Sequence, residues 1–418
     1  MSFTRRFFLK SSGIALVGVG SAVLSVPGFL TRAAAVTAGR RKTLVVLFQR
    51  GAADGLNIVV PHAERQYYKL RPSIAIPRPK RGASETALDL DGFFAFHPAL
   101  APLKRLYDDK MLAVINAAGS PDSTRSHFDA QDFMESGTPG VKRTSDGWLN
   151  RYLQASAVRH ASSFRAVSVT PQIPRILSGT APALAIPQLS SFGIRDNRYG
   201  DLLQRGLVSL YNLSDDPLFR TTAQEAFEAV QLLEDADPSR YKPDNGAEYP
   251  GGFFGKNLMQ IAQLIKADVG LEVAFAEIAG WDHHVNEGGV AGPLANLLRQ
   301  FAGGIGAFTR DLGDRMEDVV LITLSEFGRT AQENGNRGTD HGHANAIFVV
   351  GGPVKGGKVY GKWPGLKPDR LHERRDLALT TDFRDVIGEL LAGHLGARDL
   401  DRVFPDHRMS QRRLGLVG

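Results

Sequence analysis

The sequence of 418 residues contains no cysteine. Disulfide bonds, thiolate nucleophiles and thiolate metal ligands are therefore excluded. A metal ion bound by this chain must be held by oxygen atoms and imidazole nitrogens. Carboxylates and neutral imidazoles together suit Zn²⁺, Mn²⁺ or a similar divalent ion, whereas an all-oxygen ligand set would favour Mg²⁺ or Ca²⁺.

The chain also has little excess charge once its first residues are set aside. Lysine and arginine total 50 against 44 acidic residues, but four of the basic residues lie in residues 1–35, which contain no acid. The remaining 46 basic and 44 acidic residues nearly balance. Bulk charge therefore gives no support to nucleic-acid binding, and we expect no nucleic-acid partner.

The first residues carry the pattern of an export signal. Residues 4–10 read TRRFFLK, a twin-arginine signature, and uncharged residues 11–31 follow before the small residues 33–35. A transmembrane anchor is the alternative, since about 20 apolar residues span a bilayer, but glycines and a proline make this stretch a poor membrane helix. We predict a cleaved signal peptide over residues 1–35. The twin-arginine export machinery would then be a partner, the location periplasmic or secreted, and no stable membrane span would remain.

Apolar runs of strand length alternate with helical patterns through most of the rest of the chain. The alternation predicts an α/β fold with a mostly parallel central sheet and helices on both faces. The predicted strands cover residues 42–48, 111–116, 271–279, 319–324 and 346–350. The predicted helices cover residues 98–107, 128–135, 216–235, 253–266, 293–316 and 382–395. Within one domain over residues 36–418, the less regular residues 140–250 are predicted to form a cap or insertion.

Acidic residues and histidines cluster at the ends of the predicted strands. In an open α/β sheet, ligands bind outside the carboxyl ends of the strands, so clusters that are distant in sequence can converge there. A single such residue is more often an ordinary turn residue, but three clusters together favour a shared metal site for one or two divalent ions, with zinc or manganese favoured. The predicted metal ligands are Asp54, Asp282, His283, His284, Glu326, Asp340, His341 and His343.

A hydroxyl and an imidazole lie between a predicted strand and the helix that follows it. Ser126 is placed beside helix N-terminal amides, which favour an anion, so its hydroxyl could attack a phosphoryl or sulfuryl centre. Ser126 with Asp129 also resembles a capping box, so a helix cap is the alternative role. His127 is a candidate metal ligand, a candidate acid or an ordinary first-turn residue. Arg125 and Arg329 are candidates to bind an anionic substrate through two hydrogen bonds each.

The order of these residues resembles the alkaline phosphatase superfamily, which includes phosphatases, sulfatases, nucleotide pyrophosphatases and cofactor-independent phosphoglycerate mutases. More narrowly, the chain looks like the exported bacterial family catalogued as domain-of-unknown-function 1501, and this resemblance spans nearly the whole chain. The motifs that carry it are DGLN at 54–57, RSHF at 125–128, GWDHH at 280–284, SEFGR at 325–329 and DHG at 340–342.

The resemblance implies an alkaline-phosphatase-like fold and specific residue roles. Asp54 matches the first metal aspartate of the superfamily, and Ser126 matches its nucleophile. Asp282 and His284 match the aspartate and histidine of one metal ion, although the superfamily spacing is usually Asp-x-x-x-His.

Two assignments of the other metal ion stay open. If residues 340–342 are the superfamily's Asp-His-Gly motif, the second metal is complete and Glu326 is an added ligand or base. If residues 325–328 take that place, which the preceding strand suggests, Phe327 replaces a metal histidine. His341 or His343 is then the late histidine before a strand, and an altered or single-metal site results.

The sequence therefore predicts an exported, metal-dependent hydrolase of phosphate or sulfate esters, acting on an anionic small molecule or polymer. The alternative is a non-catalytic exported binding protein that keeps the fold and a partial metal site, which Phe327 favours. A metalloenzyme of unrelated chemistry is a third possibility, but the chain lacks a His-Glu-x-x-His helix and a Gly-x-Ser-x-Gly elbow.

Overall fold

A computed structural model of the chain describes residues 41–156, 162–191 and 240–418. These residues belong to one unit that covers residues 39–418. The predicted signal peptide over residues 1–35 and the predicted helix over residues 216–235 lie outside the described residues.

Nine strands form a central sheet, in the order β11-β5-β10-β9-β1-β8-β6-β7 with β12 beside β5, and β2, β4 and β3 form a small second sheet. The strands are β1 Thr43–Arg50, β2 Val59–Val60, β3 Leu88–Asp89, β4 Ala95–Phe96, β5 Leu112–Gly119, β6 Ala166–Ser168, β7 Leu184–Ala185, β8 Val273–Ala279, β9 Val319–Ser325, β10 Asn345–Gly351, β11 Lys358–Tyr360 and β12 Thr381–Asp382. All five predicted strands are present, within a few residues of their predicted bounds.

Helices pack on both faces of this sheet. They are α1 Gly55–Ile58, α2 Arg65–Leu70, α3 Ala101–Asp108, α4 His127–Ser136, α5 Trp148–Ala155, α6 Phe253–Lys266, α7 Pro293–Leu312, α8 Phe383–Gly393 and α9 Leu400–Val403. Helix α7 ends four residues before its predicted end, because Gly313 adopts a φ of +51° and a 3₁₀ turn follows. No helix of the described ranges is long and apolar enough to cross a membrane.

The central strands are apolar on both faces because helices cover both faces. Along β1, Val45 and Leu47 pack with helices α3, α6 and α7 in one core. The alternate residues Leu44 and Val46 pack with α5 and α8 in a second core on the other face. The predicted central sheet with helices on both faces is therefore confirmed.

One strand of the central sheet runs in the opposite direction to its neighbours. In the central sheet, β10 runs antiparallel to both of its neighbours, β5 and β9, while the other strand pairs of the described residues are parallel. The carboxyl ends of β1, β5, β8 and β9 therefore lie at the same edge as the amino end of β10. This edge carries the loops that contain every predicted site residue.

Part of the region predicted as a cap belongs to the central sheet. Of residues 140–250, those at 140–156, 162–191 and 240–250 are described. They include β6 and β7, which extend the sheet beyond β8, and α5, which packs against it. For residues 192–239, which lie outside the described residues, the cap stays a prediction.

A buried ion pair holds the loop after β1. Arg71 is fully buried, and its guanidinium donates two hydrogen bonds to the carboxylate of Asp54. It also donates to the carbonyl oxygens of Thr330 at 2.8 Å and Ala331 at 3.0 Å. Burial opposes ionisation of Asp54, but the charge and hydrogen bonds of Arg71 outweigh it and lower the pKa of this carboxyl. Arg71 thereby ties together two loops at the sheet edge.

Replacing Arg71 should be strongly destabilising, since it would leave an unpaired buried carboxylate. We expect Arg71→Met to lower the free energy of unfolding by about 3–5 kcal/mol in urea denaturation. The control is Lys104→Met, which removes an exposed ion pair to Asp108 with an N–O distance of 2.7 Å and should cost at most about 1 kcal/mol. Equal losses in the two variants would contradict this role of the buried pair.

Candidate metal centre

Four side chains converge where the loops of the sheet edge meet. His127 begins α4, Asp282 and His284 follow β8, and His341 precedes β10. Asp282 Oδ1 lies 2.9 Å from His284 Nε2 and 3.3 Å from His341 Nε2. The two Nε2 atoms are 3.0 Å apart, and His127 Nε2 lies 3.5 Å from Asp282 Oδ2. The Asp282 carboxylate thus lies among three imidazoles, and ligand atoms of His127, Asp282 and His341 all lie within 4.8 Å of one another.

Hydrogen bonds at the opposite ring nitrogens fix the tautomers of two of these imidazoles. His341 Nδ1 lies 2.7 Å from the carbonyl oxygen of Arg125, and His284 Nδ1 lies 3.1 Å from Asp340 Oδ1. Both oxygens only accept hydrogen bonds, so each Nδ1 carries the proton. Each Nε2 faces the Asp282 carboxylate and is the ring atom available to a metal ion.

His127 is oriented by a buried carboxylate in the same way. Its Nδ1 donates to Glu326 Oε1 at 2.9 Å, and this contact raises the pKa of His127. Glu326 also accepts from Gln131 Nε2 and from the backbone amide of Gly51, both at 2.8 Å. Burial opposes ionisation of Glu326, but these hydrogen bonds lower its pKa overall. A carboxylate behind an imidazole makes it a more basic ligand.

These four residues fit a divalent metal ion. Two imidazole lone pairs at 3.0 Å repel each other unless a cation lies between them. His127 Nε2 is buried and has no hydrogen-bond partner. Ligand atoms bound at about 2.1 Å in a tetrahedron lie about 3.4 Å apart, close to the separations found here. The chemistry and spacing of the donors therefore fit His127, Asp282 and His341 as a three-ligand site, with His284 beside Asp282 and His341 as a further candidate donor.

Charge and burial shift the pKa values of two of these ligands, Asp282 and His341. Arg329 is buried and donates through Nη2 to Asp282 Oδ1 at 2.6 Å, while its Nε donates to the carbonyl oxygen of Ala52. Burial opposes ionisation of Asp282, but Arg329 outweighs it and lowers the pKa of this carboxyl. Burial lowers the pKa of His341, which favours the neutral, metal-binding form of its ring. The arginine thus acts on a ligand through Nη2, and its predicted role in binding an anionic substrate stays a prediction.

Phe327 packs against the ligands. Its place in the sequence favoured the alternative of a binding protein with a partial metal site. It is 4% exposed, and its ring centroid lies 5.1 Å from those of both His127 and His341. Phe327 therefore forms an apolar wall that limits rotation of two ligand imidazoles.

The structure places several predicted ligands in other surroundings. The Asp54 carboxylate is bound by Arg71, and the His343 ring stacks on His372 at 4.2 Å, where burial lowers its pKa to about 4. His283 Nδ1 is buried without a partner. Among the described residues, the one group of three or more potential ligands within mutual reach contains His127, Asp282 and His341, while His284 contacts only the last two of these. Glu326 and Asp340 contact the Nδ1 atoms of ligand rings instead of joining the converging atoms.

Ser126 is the N-cap of α4. Its hydroxyl accepts a hydrogen bond from the Asp129 amide at 3.5 Å, as the capping pattern predicts. Its role as nucleophile stays a prediction. The Arg125 side chain, predicted to bind substrate, instead pairs with Glu373 and Asp376.

Sequence reasoning missed some supporting residues. Gln131, which binds Glu326, lies four residues after His127 on α4, and this spacing places both side chains on one helix face. The spacing could have identified it. Asn334 donates to Asp340 Oδ1 at 3.0 Å from a loop without a recognisable motif, so no sequence signal marks it.

Comparisons with known proteins give a family and distant structural likenesses. The family model described as "Protein of unknown function (DUF1501)" matches residues 111–406. No curated protein matches the chain. Among solved structures, the C-terminal periplasmic domain of EcEptC from Escherichia coli is similar at 11% identity, covering 90% of this chain and 89% of that one, with a TM-score of 0.37.

Two further solved structures show weaker coverage. For the alkaline phosphatase PafA, the identity is 10%, the coverage 70% of this chain and 64% of that one, and the TM-score 0.32. For the lipoteichoic acid synthase LtaP from Listeria monocytogenes, the values are 8%, 75%, 66% and 0.32. With TM-scores below 0.5, none of these likenesses assigns a role to a residue of this chain.

Two pairs of neighbouring histidines, at 283 and 284 and at 341 and 343, allow a matched test of the ligand set. We expect His284→Asn and His341→Asn to abolish tight binding of Zn²⁺ or Mn²⁺ in isothermal titration calorimetry, with a loss greater than the roughly 10–100-fold typical of a supporting residue. His283→Asn and His343→Asn should keep the affinity of the unaltered protein, because neither ring joins the converging atoms. Loss of binding in the second pair alone would contradict the assignment.

Proposed function

We propose a function for this chain, which belongs to the family described as protein of unknown function (DUF1501). The proposed function is that of an exported, metal-dependent hydrolase of phosphate or sulfate esters. The observation that carries the proposal is the convergence of His127, His284, His341 and Asp282, each imidazole oriented through Nδ1. A divalent ion bound there would act as a Lewis acid on a phosphoryl or sulfuryl oxygen.

A bound divalent ion would supply the positive charge that attracts an anionic substrate, since carboxylates of Glu326 and Asp340 lie behind the ligand rings. An imidazole that binds a metal ion through Nε2 contributes no charge, and Arg329 offsets the charge of Asp282. The net charge of the metal-binding side chains together with Arg329 is therefore close to zero. The positive charge of a bound divalent ion is then available to an ester anion. A polymer or a small molecule bearing such an ester would meet this requirement.

Ser126 is the proposed nucleophile. It directly precedes the ligand His127 and is partly exposed at the first turn of α4. Its hydroxyl oxygen accepts only a long hydrogen bond from the Asp129 amide. In the proposed reaction this oxygen attacks phosphorus or sulfur, the ester alcohol leaves with the proton of the serine hydroxyl, and water then hydrolyses the serine ester and restores the hydroxyl. The N-terminal amides of the helix favour the negative charge of the group under attack.

The metal content should be one ion per chain. Asp54, which the superfamily resemblance assigns to a metal, already pairs with the buried Arg71 guanidinium. We expect inductively coupled plasma mass spectrometry of the purified protein to give one equivalent of divalent metal, and Asp54→Asn to keep it. Two equivalents, one of them lost in Asp54→Asn, would show that Asp54 is a ligand and overturn the single-ion assignment.

Hydrolysis should depend on the Ser126 hydroxyl but metal binding should not. Asparagine caps helices about as well as serine and lacks the hydroxyl, so Ser126→Asn separates the two roles. We expect this variant to lose aryl phosphate or aryl sulfate turnover by roughly 10³-fold or more while keeping its metal. Full turnover in Ser126→Asn would rule out this nucleophile. A metal-loaded, unaltered protein without turnover of either ester would favour the binding-protein alternative.

A further inference from the structure

One turn, remote in sequence from the metal ligands, holds His341 from two sides. Arg375 Nη2 donates to the backbone carbonyl of His341 at 2.9 Å. The His341 ring donates through Nδ1 to the backbone carbonyl of Arg125. The side chain of Arg125 is in turn held by Asp376 Oδ2, with an Nη2–Oδ2 distance of 2.6 Å. Neighbouring residues of the turn thus fix both the backbone and the ring of this ligand.

From these contacts we propose that residues 372–376 form a positioning element for the proposed metal ion, with Arg375 and Asp376 as the positioning residues for His341. The inference rests on the metal centre of the proposed function. Partners behind a metal-binding imidazole fix its tautomer and ring orientation. Here the partner of the ring is a carbonyl group, so Arg125 must itself be held for the imidazole to be held.

The backbone of this turn is unusual. Glu373 and Arg374 are successive non-glycine residues with φ of +49° and +58°. A non-glycine residue in this left-handed region is strained and persists only where its surroundings impose it. His372 and Asp376 close the turn through two backbone hydrogen bonds of 2.8 and 3.0 Å. The closure places the two positioning side chains in fixed directions.

Two carboxylates contact Arg125, and they differ sharply in burial. The Asp376 side chain is fully buried, whereas that of Glu373 is 53% exposed and lies 2.7 Å from the same Nη2. A charge pair screened by water contributes little, while a buried pair is much less screened. Asp376 is also close to Arg375, with an Nη1–Oδ2 distance of 3.6 Å. Asp376 therefore anchors Arg125, and Glu373 provides a natural control.

The test compares Asp376→Asn with Glu373→Gln. Each variant removes the negative charge of one carboxylate that contacts the Arg125 guanidinium. The readouts are the affinity for Zn²⁺, measured by competition with a chromophoric chelator, and the visible absorption spectrum of the Co²⁺-substituted protein. We expect Asp376→Asn to bind Zn²⁺ roughly 10–100-fold more weakly and to change the Co²⁺ spectrum. Glu373→Gln should stay within about five-fold of the unaltered affinity.

A second variant tests the proposal in case Asp376→Asn does not fold. Arg375→Gln removes the hydrogen bond to the His341 carbonyl and the longer contact with Asp376 from a side chain that is 40% exposed. It should also weaken Zn²⁺ binding and alter the Co²⁺ spectrum. If either folded variant, Asp376→Asn or Arg375→Gln, keeps both the affinity and the spectrum, the positioning role of that residue is overturned. Failure of the unaltered protein to bind Zn²⁺ or Co²⁺ would instead overturn the proposed function, so the two failures are distinguishable.

Discussion

The parallel pairing of β1 with β8 on one side and β9 on the other is the constraint on which the candidate metal centre depends. In this pairing Arg50 lies opposite Ala279, and Gln49 lies opposite Ser325. The three strands therefore end at nearly the same level, and their loops leave the sheet side by side. Acidic and histidine side chains on these loops meet because the backbone ladder aligns them.

Buried arginines make this acidic edge compatible with folding. Carboxylates brought together at one sheet edge repel each other and are costly to bury without partners. Arg71 neutralises Asp54 beneath the loops, and Arg329 neutralises Asp282 beside the imidazoles. Both guanidiniums also bind carbonyl groups of neighbouring loops. The same side chains thus balance charge and fix loop geometry.

Sequence patterns predicted the strands and the edge at which the site lies, because apolar periodicity and strand-end composition are local signals. Periodicity carries no information on direction, so the antiparallel orientation of β10 was not predictable from it. The choice of His127 over His343 depends on which way each ring points after the chain has folded. The partner of Asp54, Arg71, and the turn that holds His341 belong to segments without motifs. Their roles are set by tertiary contacts alone.

The converging side chains come from distant parts of the chain, and the carbonyl that orients His341 lies 216 residues away in sequence. No short peptide of this chain can assemble the same donors, so selective metal binding must follow folding. The predicted twin-arginine pathway transports proteins that are already folded. A metal ion bound before export would then be selected by the ion concentrations of the cytoplasm and not by those of the final compartment.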